Sequence, residues 1–155
     1  MKREQPLSHV QHGSGELLDP ATHARQYSGV RKAHETELIE DYVELIGDLI
    51  EAKGEARAVE LAQRMGVTQA TVGKMIRRMT EAGYVTSEPY RSIFLTAAGR
   101  QMAQESRRRH LVVLRFFRAL GVSETTARQD AEGVEHHVSE ETLAIMRAFA
   151  ERAGT

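Results

Sequence analysis

The chain has 155 residues, of which 41% are hydrophobic and 28% are charged, and it contains no cysteine. This length and composition suit one compact soluble domain, or two small domains that share a helix, and they exclude disulfides and thiolate metal sites. The formal net charge of -1 argues against a surface that is basic throughout, so a nucleic-acid surface must be a local patch. Because no apolar run approaches the roughly 18 residues of a membrane helix and the start lacks a signal peptide, we predict a cytoplasmic protein without a membrane partner.

The chain is predicted to begin with a disordered tail and a long helix. Residues 1–27 contain two of the three prolines, a Gly-Ser-Gly sequence and little apolar periodicity, which is typical of disorder. From about residue 28 to 53, apolar residues recur at steps of three and four, as on one face of an amphipathic helix. Gly54 is expected to end this helix.

The middle third is predicted to form two helices and a β-hairpin. The expected elements are a helix at Ala58–Met65, a turn at Gly66 and Val67, a helix capped by Thr68 that ends near Ala82, and strands at Tyr84–Glu88 and Ser92–Thr96. A helix, a glycine turn, a helix and a hairpin, in this order, indicate a winged helix-turn-helix.

The second helix of this motif predicts a DNA-binding surface. Between residues 68 and 91 the chain carries four positive and two negative residues, an excess of two positive charges. The candidate DNA-binding residues are Gln69, Ala70, Thr71, Lys74, Arg77 and Arg78 on the helix and Arg91 at the hairpin tip. Side chains near the start of such a helix reach base edges, and the basic residues meet phosphates. The alternative is a structural helical hairpin with a solvated basic face.

The last third is predicted to be entirely helical. Thr96 can cap a helix from Ala97 to about Ala119, and Ser123 and Ser139 can open two more helices. We therefore predict a mainly α fold with one small hairpin. A homodimer is expected because the apolar residues exceed what short helices can bury internally, namely Leu111, Leu114, Phe116, Phe117, Leu143 and Phe149.

The sequence DAEGVEHHV at residues 130–138 raises the possibility of a metal site. In a helix, Glu132, Glu135 and His136 share one face, and two carboxylates with an imidazole suit Mn²⁺ or Fe²⁺. A solvated acidic face is an equally good interpretation of these three residues alone. Asp41 and Glu44 also stand three positions apart, at the edge of the apolar stripe of the first long helix, and His110 lies on the long helix between the two segments.

Four separate motifs give the chain a family resemblance. DYVE at residues 41–44, TVGKMIRRM at 71–79, RRRH at 107–110 and EGVEHHVS at 132–139 closely resemble the diphtheria-toxin-repressor family, and most of all its manganese-responsive branch. The resemblance implies a winged helix-turn-helix at residues 28–96, an all-helical metal-binding and dimerisation domain at residues 97–155, and repression of metal-uptake genes when the ion is plentiful. The chain ends at Thr155, so we expect no SH3-like third domain.

The resemblance also implies a set of metal ligands. By motif these are Asp41, Glu44, His110, Glu132, Glu135 and His136. Iron-responsive members usually carry methionine at the position of Asp41 and cysteine at that of Glu132, so the two carboxylates favour manganese. Four ligand carboxylates would balance two divalent cations, which predicts two Mn(II) ions per subunit.

These observations predict a regulator rather than an enzyme. The expected function is a manganese-activated repressor whose homodimer binds a palindromic double-stranded operator. Three alternatives stay open at this stage: an iron- or mixed-metal repressor, a small binuclear metalloenzyme, and a winged-helix dimer that needs no metal.

Overall fold

The computed structural model describes residues 17–88 and 91–154. Its elements in chain order are α1 Pro20–Lys53, α2 Ala58–Met65, α3 Gln69–Glu81, β1 Val85–Ser87, β2 Ile93–Leu95, α4 Ala97–Ala119, α5 Glu124–Val134, a 3₁₀ turn at Glu135–His137, and α6 Glu140–Arg152. The predicted fold class, a winged helix-turn-helix followed by a helical domain, is confirmed.

Helix α1 begins earlier than the sequence pattern predicted. The Asp19 side chain accepts hydrogen bonds from the backbone N–H groups of Ala21 and Thr22, at 3.0 and 3.1 Å, and Pro20 occupies the first turn. An aspartate cap followed by proline is a strong helix start. The aspartate accepts hydrogen bonds from unpaired backbone N–H groups of the first turn, and proline has no N–H group that needs a partner. The predicted disordered tail is therefore wrong for residues 20–27, and its residues 1–16 lie outside the described residues.

The winged unit closes around its own apolar core. Gly66 has a φ of 67°, the left-handed conformation that lets α2 turn into α3 within two residues, and Thr68 accepts from Thr71 N–H at 3.1 Å to cap α3. The antiparallel hairpin is shorter than predicted, and Pro89 and Tyr90 of its expected tip lie outside the described residues. The core of the winged unit contains Val43, Ile46, Leu61, Val72, Met79, Val85 and Ile93.

A close contact fixes the start of α4 against the hairpin. The Thr96 hydroxyl donates to the Gly83 carbonyl at 2.7 Å and accepts from Gly99 N–H at 3.1 Å. A Cβ atom on Gly99 would collide with the backbone carbonyl oxygen of Tyr84, so only glycine allows this approach. The first turn of α4 thus packs directly against the backbone that leads into the hairpin.

The helical half packs α4 against α5 and α6 around a second apolar core. Leu114 and Leu143 belong to this core. The prediction that they contribute to a surplus apolar surface is therefore wrong, since the three-helix arrangement buries both within one chain. Leu111 and Phe149 are exposed, together with Leu120 and Ile145. None of the helices in the described ranges is long and apolar enough to span a membrane.

Candidate metal centre and nucleic-acid surface

Four segments converge where α1 meets the helical half. The six predicted ligands lie on α1 (Asp41, Glu44), α4 (His110), α5 (Glu132) and the 3₁₀ turn (Glu135, His136). The expectation that residues 130–138 form one helix is wrong, because α5 ends at Val134 and the backbone tightens. The Arg109 guanidinium holds this turn by donating to the carbonyl oxygens of Glu135, at 3.0 Å, and Val138.

Glu135 is the buried carboxylate at the middle of this cluster. Its side chain is 2% exposed, and its oxygens lie 2.6 Å from His110 Nδ1 and 3.4 Å from His136 Nε2. Burial raises the pKa of Glu135 to about 8; the charge of His136 opposes this, while the nearby carboxylates, Glu132 first, reinforce it. Single ligand atoms of His110, Glu132 and Glu135 lie within 4.8 Å of one another, close enough to hold one ion.

His136 lies between carboxylates of both halves. Its Nδ1 lies 2.6 Å from Glu40 Oε2, and its Nε2 lies 3.2 Å from Asp41 Oδ1. Burial alone would lower the pKa of His136, but the hydrogen bonds to Asp41 and Glu40 outweigh it and raise this pKa to about 10. The structure therefore places a positive charge among carboxylates from α1 and the 3₁₀ turn, which is the electrostatic environment that suits a cation.

Glu44 completes the acidic side of the junction. It accepts a hydrogen bond from the buried Ser106 hydroxyl at 2.8 Å. Burial raises the pKa of Glu44, Ser106 opposes the shift, and the negative charges of Asp48 and Glu132 add to it. Asp41, Glu44 and Glu132 line one open cleft. Carboxylate oxygens with two imidazoles fit a hard or borderline divalent ion, so the donor set agrees with the metal that the sequence predicted.

Three residues of the centre were not identified from the sequence: Glu40, Ser106 and Arg109. Glu40 is only 19% exposed and contacts His136. The spacing could have indicated two of them, because residues four apart share a face of a helix. Glu40 stands four positions before Glu44, and Ser106 stands four before His110. The contacts of Arg109 with two carbonyl oxygens have no such local signal.

The predicted DNA-binding residues form an exposed surface on α3 and the hairpin. Gln69, Ala70, Thr71, Lys74, Arg77, Arg78 and Arg91 are all exposed. Gln69, Arg77 and Arg91 line one groove, to which Arg57 also contributes. Arg91 pairs with Glu88 at 2.8 Å, and Arg78 pairs with Glu35 of α1 at 3.3 Å. Within the described residues, Lys74 and Arg77 form no ion pair.

A winged helix-turn-helix with an exposed basic surface, whose first helix meets a helical half at a carboxylate–histidine cluster, is the architecture expected of a DNA-binding regulator with a cation site at the junction of its halves. The family described as "Iron dependent repressor, N-terminal DNA binding domain" matches residues 34–93, and "Iron dependent repressor, metal binding and dimerisation domain" matches residues 96–154. The chain belongs to the iron dependent repressor family.

Individual relatives agree with this assignment. The chain is 52% identical over 139 residues to the transcriptional regulator MntR of Escherichia coli O157:H7, covering 90% of both chains. It is 51% identical over 140 residues to MntR of Salmonella typhimurium, covering 90% of this chain and 89% of the relative. A solved manganese-dependent transcriptional repressor in complex with manganese is 30% identical with a TM-score of 0.66, over 73% of this chain and 52% of that one. The chain thus spans about half the length of this solved repressor.

The resemblance inferred from the motifs is therefore confirmed. The chain is a transcriptional regulator and not an enzyme, because both matched domains and the curated relatives are regulatory. Its two domains are those that bind DNA and that bind a divalent metal and form the homodimer.

Proposed function

We propose that the protein is a manganese-activated repressor of metal-uptake genes that acts in the cytoplasm. Two Mn(II) ions per chain would be held by Asp41, Glu44, His110, Glu132, Glu135 and His136. The observation that carries the proposal is the environment of Glu135, a carboxylate that is 2% exposed and faces two imidazoles and further carboxylates. Glu135 would bind an ion as the carboxylate, and a buried carboxylate in such company requires a compensating positive charge.

The proposed ion binding would reach the DNA-binding surface through the junction. Two divalent cations would supply the positive charge that balances the four ligand carboxylates. Asp41 and Glu44 belong to α1, whereas the other four ligands belong to the helical half. Holding all six together fixes α1, whose Tyr42, Val43 and Ile46 lie in the core of the winged unit. Cation and operator then favour the same conformer, which is allosteric coupling in the thermodynamic sense.

The choice of manganese rests on the donor atoms and on the relatives. Asp41 and Glu132 offer hard oxygen atoms, which suit Mn²⁺ better than softer ions. Two relatives bear the name MntR, and a solved neighbour is a manganese-dependent repressor that holds manganese. An iron- or mixed-metal repressor is the second candidate, because Fe²⁺ accepts the same ligands.

The operator is proposed to be palindromic. A two-fold dimer presents two copies of α3, so its half-sites should lie about one helical turn, or a multiple of it, apart. The exposed apolar residues Leu111, Leu120, Ile145 and Phe149 on and beside α4 and α6 supply the dimer surface.

Metal-dependent DNA binding tests the proposal directly. DNA fragments selected by the protein in the presence of Mn²⁺ are titrated at fixed salt concentration with Mn²⁺, anaerobic Fe²⁺, Zn²⁺ or Ca²⁺ in the background. We expect Mn²⁺ to raise the DNA affinity and Ca²⁺ to leave it unchanged. Equal affinity with every ion and with none would overturn the proposal.

A substitution at Asp41 tests the selectivity. Asp41→Met removes one negative charge and one oxygen ligand, so Fe²⁺ or Co²⁺ should activate DNA binding comparably to Mn²⁺. Glu51→Met is the matched control, because Glu51 lies on the same helix but is 75% exposed and pairs with Arg107 outside the centre. An unchanged preference for Mn²⁺ in Asp41→Met would remove Asp41 from the ligand set.

A further inference from the structure

A second group of ligand-type side chains lies outside the six-residue centre. His34 Nδ1 is 3.2 Å from Glu37 Oε2, and His137 Nε2 is 3.1 Å from the same oxygen. The two imidazole rings stand edge to face with their centroids 5.2 Å apart. We propose that His34, Glu37 and His137 form a separate cation site, called here the triad, which takes an imidazole-preferring divalent ion such as Zn²⁺.

The distances suit a tetrahedral ion. Zinc bonds of about 2.0–2.1 Å place two ligand atoms of a regular tetrahedron about 3.3 Å apart. The two nitrogen-to-oxygen distances of the triad, 3.2 and 3.1 Å, are close to that spacing. Single ligand atoms of all three residues lie within 4.8 Å of one another, so small side-chain rotations bring them to a common centre.

The donor set selects a different ion from that of the main centre. Two imidazoles and one carboxylate favour Zn²⁺, Ni²⁺ or Co²⁺ over Mn²⁺, whose affinity for any such site is the lowest of the first-row divalent ions. The side chains of His34, Glu37 and His137 are 64%, 25% and 35% exposed, which leaves room for water as a further ligand. The triad is therefore an open three-ligand site.

Surface pairing alone does not account for the arrangement. Exposed ion pairs between a histidine and a glutamate contribute little stability, and this glutamate receives two of them from separate elements. His34 and Glu37 share a face of α1, whereas His137 comes from the 3₁₀ turn. An ion in the triad would thus join α1 to the 3₁₀ turn, as an ion in the main centre would. It would do so through His137, which follows His136, and Glu37, which lies one helical turn before Asp41.

Counting bound zinc tests the triad. The full-length protein, His34→Ala and His137→Ala are dialysed against buffered free Zn²⁺, and metal per chain is measured by elemental analysis. Each variant should bind one Zn²⁺ fewer per chain than the wild type, whatever number of Zn²⁺ ions the main centre accepts. His23→Ala is the matched control, because His23 lies on α1 beside Tyr27, away from the triad, and should keep the wild-type count.

Two further measurements keep the result decisive. Mn²⁺ per chain should be the same in all four proteins, and a fall in His34→Ala would overturn the proposal by assigning the triad to the main centre. Equal zinc counts in all four proteins would also overturn it. Because His34 is exposed, His34→Ala should retain the wild-type circular dichroism, and it decides the matter if His137→Ala is unfolded.

Discussion

The winged unit and the junction between the two halves are held together by different forces. The winged unit encloses a core of fully buried apolar side chains such as Val43, Leu61, Val72 and Met79. The junction instead brings His136 against the carboxylates of Glu40 and Asp41 on α1, with the buried carboxyl group of Glu135 beside it. Apolar burial is non-directional and requires no ligand, whereas buried carboxylates repel one another until positive charge arrives.

This difference separates a permanent part of the molecule from a conditional one. The winged unit is held by a core of buried apolar side chains, so we expect its DNA-binding surface to form whether or not an ion is present. In the proposed mechanism the junction sets where that surface lies relative to the helical half, and we expect the stability of the junction to depend on cations and protons. The four predictions below disturb one region and leave the other intact.

The largest effect is expected from Glu135→Gln, which keeps the shape of the buried side chain and removes its charge. Mn²⁺ affinity should fall by at least about 100-fold, the upper end of the loss seen even for residues that only support a ligand. The free energy of unfolding of the ion-free protein should change little at neutral pH, because Glu135 already holds a proton there and a neutral amide replaces a neutral carboxyl group. Competition with a fluorescent chelator and urea unfolding measure the two quantities.

Glu124→Gln is the control for this prediction, since Glu124 is an exposed carboxylate of α5 that pairs with Arg128 away from the junction. Wild-type Mn²⁺ affinity in Glu135→Gln, or an equal loss in both variants, would contradict the role assigned to Glu135.

Gly99→Ala should instead damage the contact between the winged unit and the start of α4. The added Cβ collides with the Tyr84 carbonyl oxygen, so the backbone must move and the free energy of unfolding should fall by about 1–3 kcal/mol. Gly73→Ala on α3 is the control: its Cβ meets nothing within 4 Å, and alanine should stabilise this helix by about 0.5–1 kcal/mol. Urea unfolding measures both changes. Equal stability of the two variants would refute the close contact.

A change of pH alters the protonation of the junction without a substitution, and we expect it to change the Mn²⁺ affinity. In the ion-free protein the pKa of Glu135 is raised to about 8 and that of His136 to about 10, so both hold protons at neutral pH. Ligands bind ions in their deprotonated forms, so Mn²⁺ binding should release protons. Affinity should therefore rise with pH between pH 6 and 8, by about tenfold per pH unit for each proton released.

Calorimetry in two buffers with different ionisation enthalpies counts these protons. Glu135→Gln should release fewer than the wild type, and a pH-independent affinity would contradict the prediction. The folding stability of the ion-free protein should change with pH in the opposite direction to the Mn²⁺ affinity. The ion pairs of His136 stabilise the fold fully below its unperturbed pKa of 6.5, and this stability is lost as the pH rises through about 10.

The smallest effect is expected on the exposed surface of α3. Lys74→Ala should weaken DNA binding across sequences and reduce the salt slope by about one unit, as loss of one phosphate contact does. Arg78→Ala should have a smaller effect, because Arg78 already pairs with Glu35. Neither should change Mn²⁺ affinity. Fluorescence anisotropy over a range of salt concentrations gives the slope of DNA affinity against salt, with Arg128→Ala on α5 as a control. A Lys74→Ala slope equal to that of the wild type would show that Lys74 does not face the DNA.

The sequence predicted well what depends on neighbouring residues. Thr68, Thr96, Ser123 and Ser139 were predicted as helix caps, and each accepts a hydrogen bond from a backbone N–H three residues on. Capping of this kind is local, so it can be read from the order of residue types. The start of α1 at Pro20 was missed although its signal is equally local, because the apolar stripe begins only near Leu38.

The metal centre was only partly predictable for a different reason. The contact of His136 with Glu40 joins residues 96 positions apart, and that of Ser106 with Glu44 joins residues 62 apart. Such pairs depend on how α1 crosses the helical half, which periodicity does not specify. The six proposed ligands came from the family resemblance, whereas the residues that contact them required the structure.

The length of α1 has a mechanical consequence. Its 34 residues form one rod of about 51 Å, and Pro20 lies about 31 Å along the axis from Asp41. If α1 rotates by about 5° about the proposed metal centre, its N-terminal end moves by about 3 Å. The ligand atoms, which lie close to the rotation axis, move by much less. Small rearrangements at the junction are thus amplified into ångström-scale displacements at the N-terminal end of the helix.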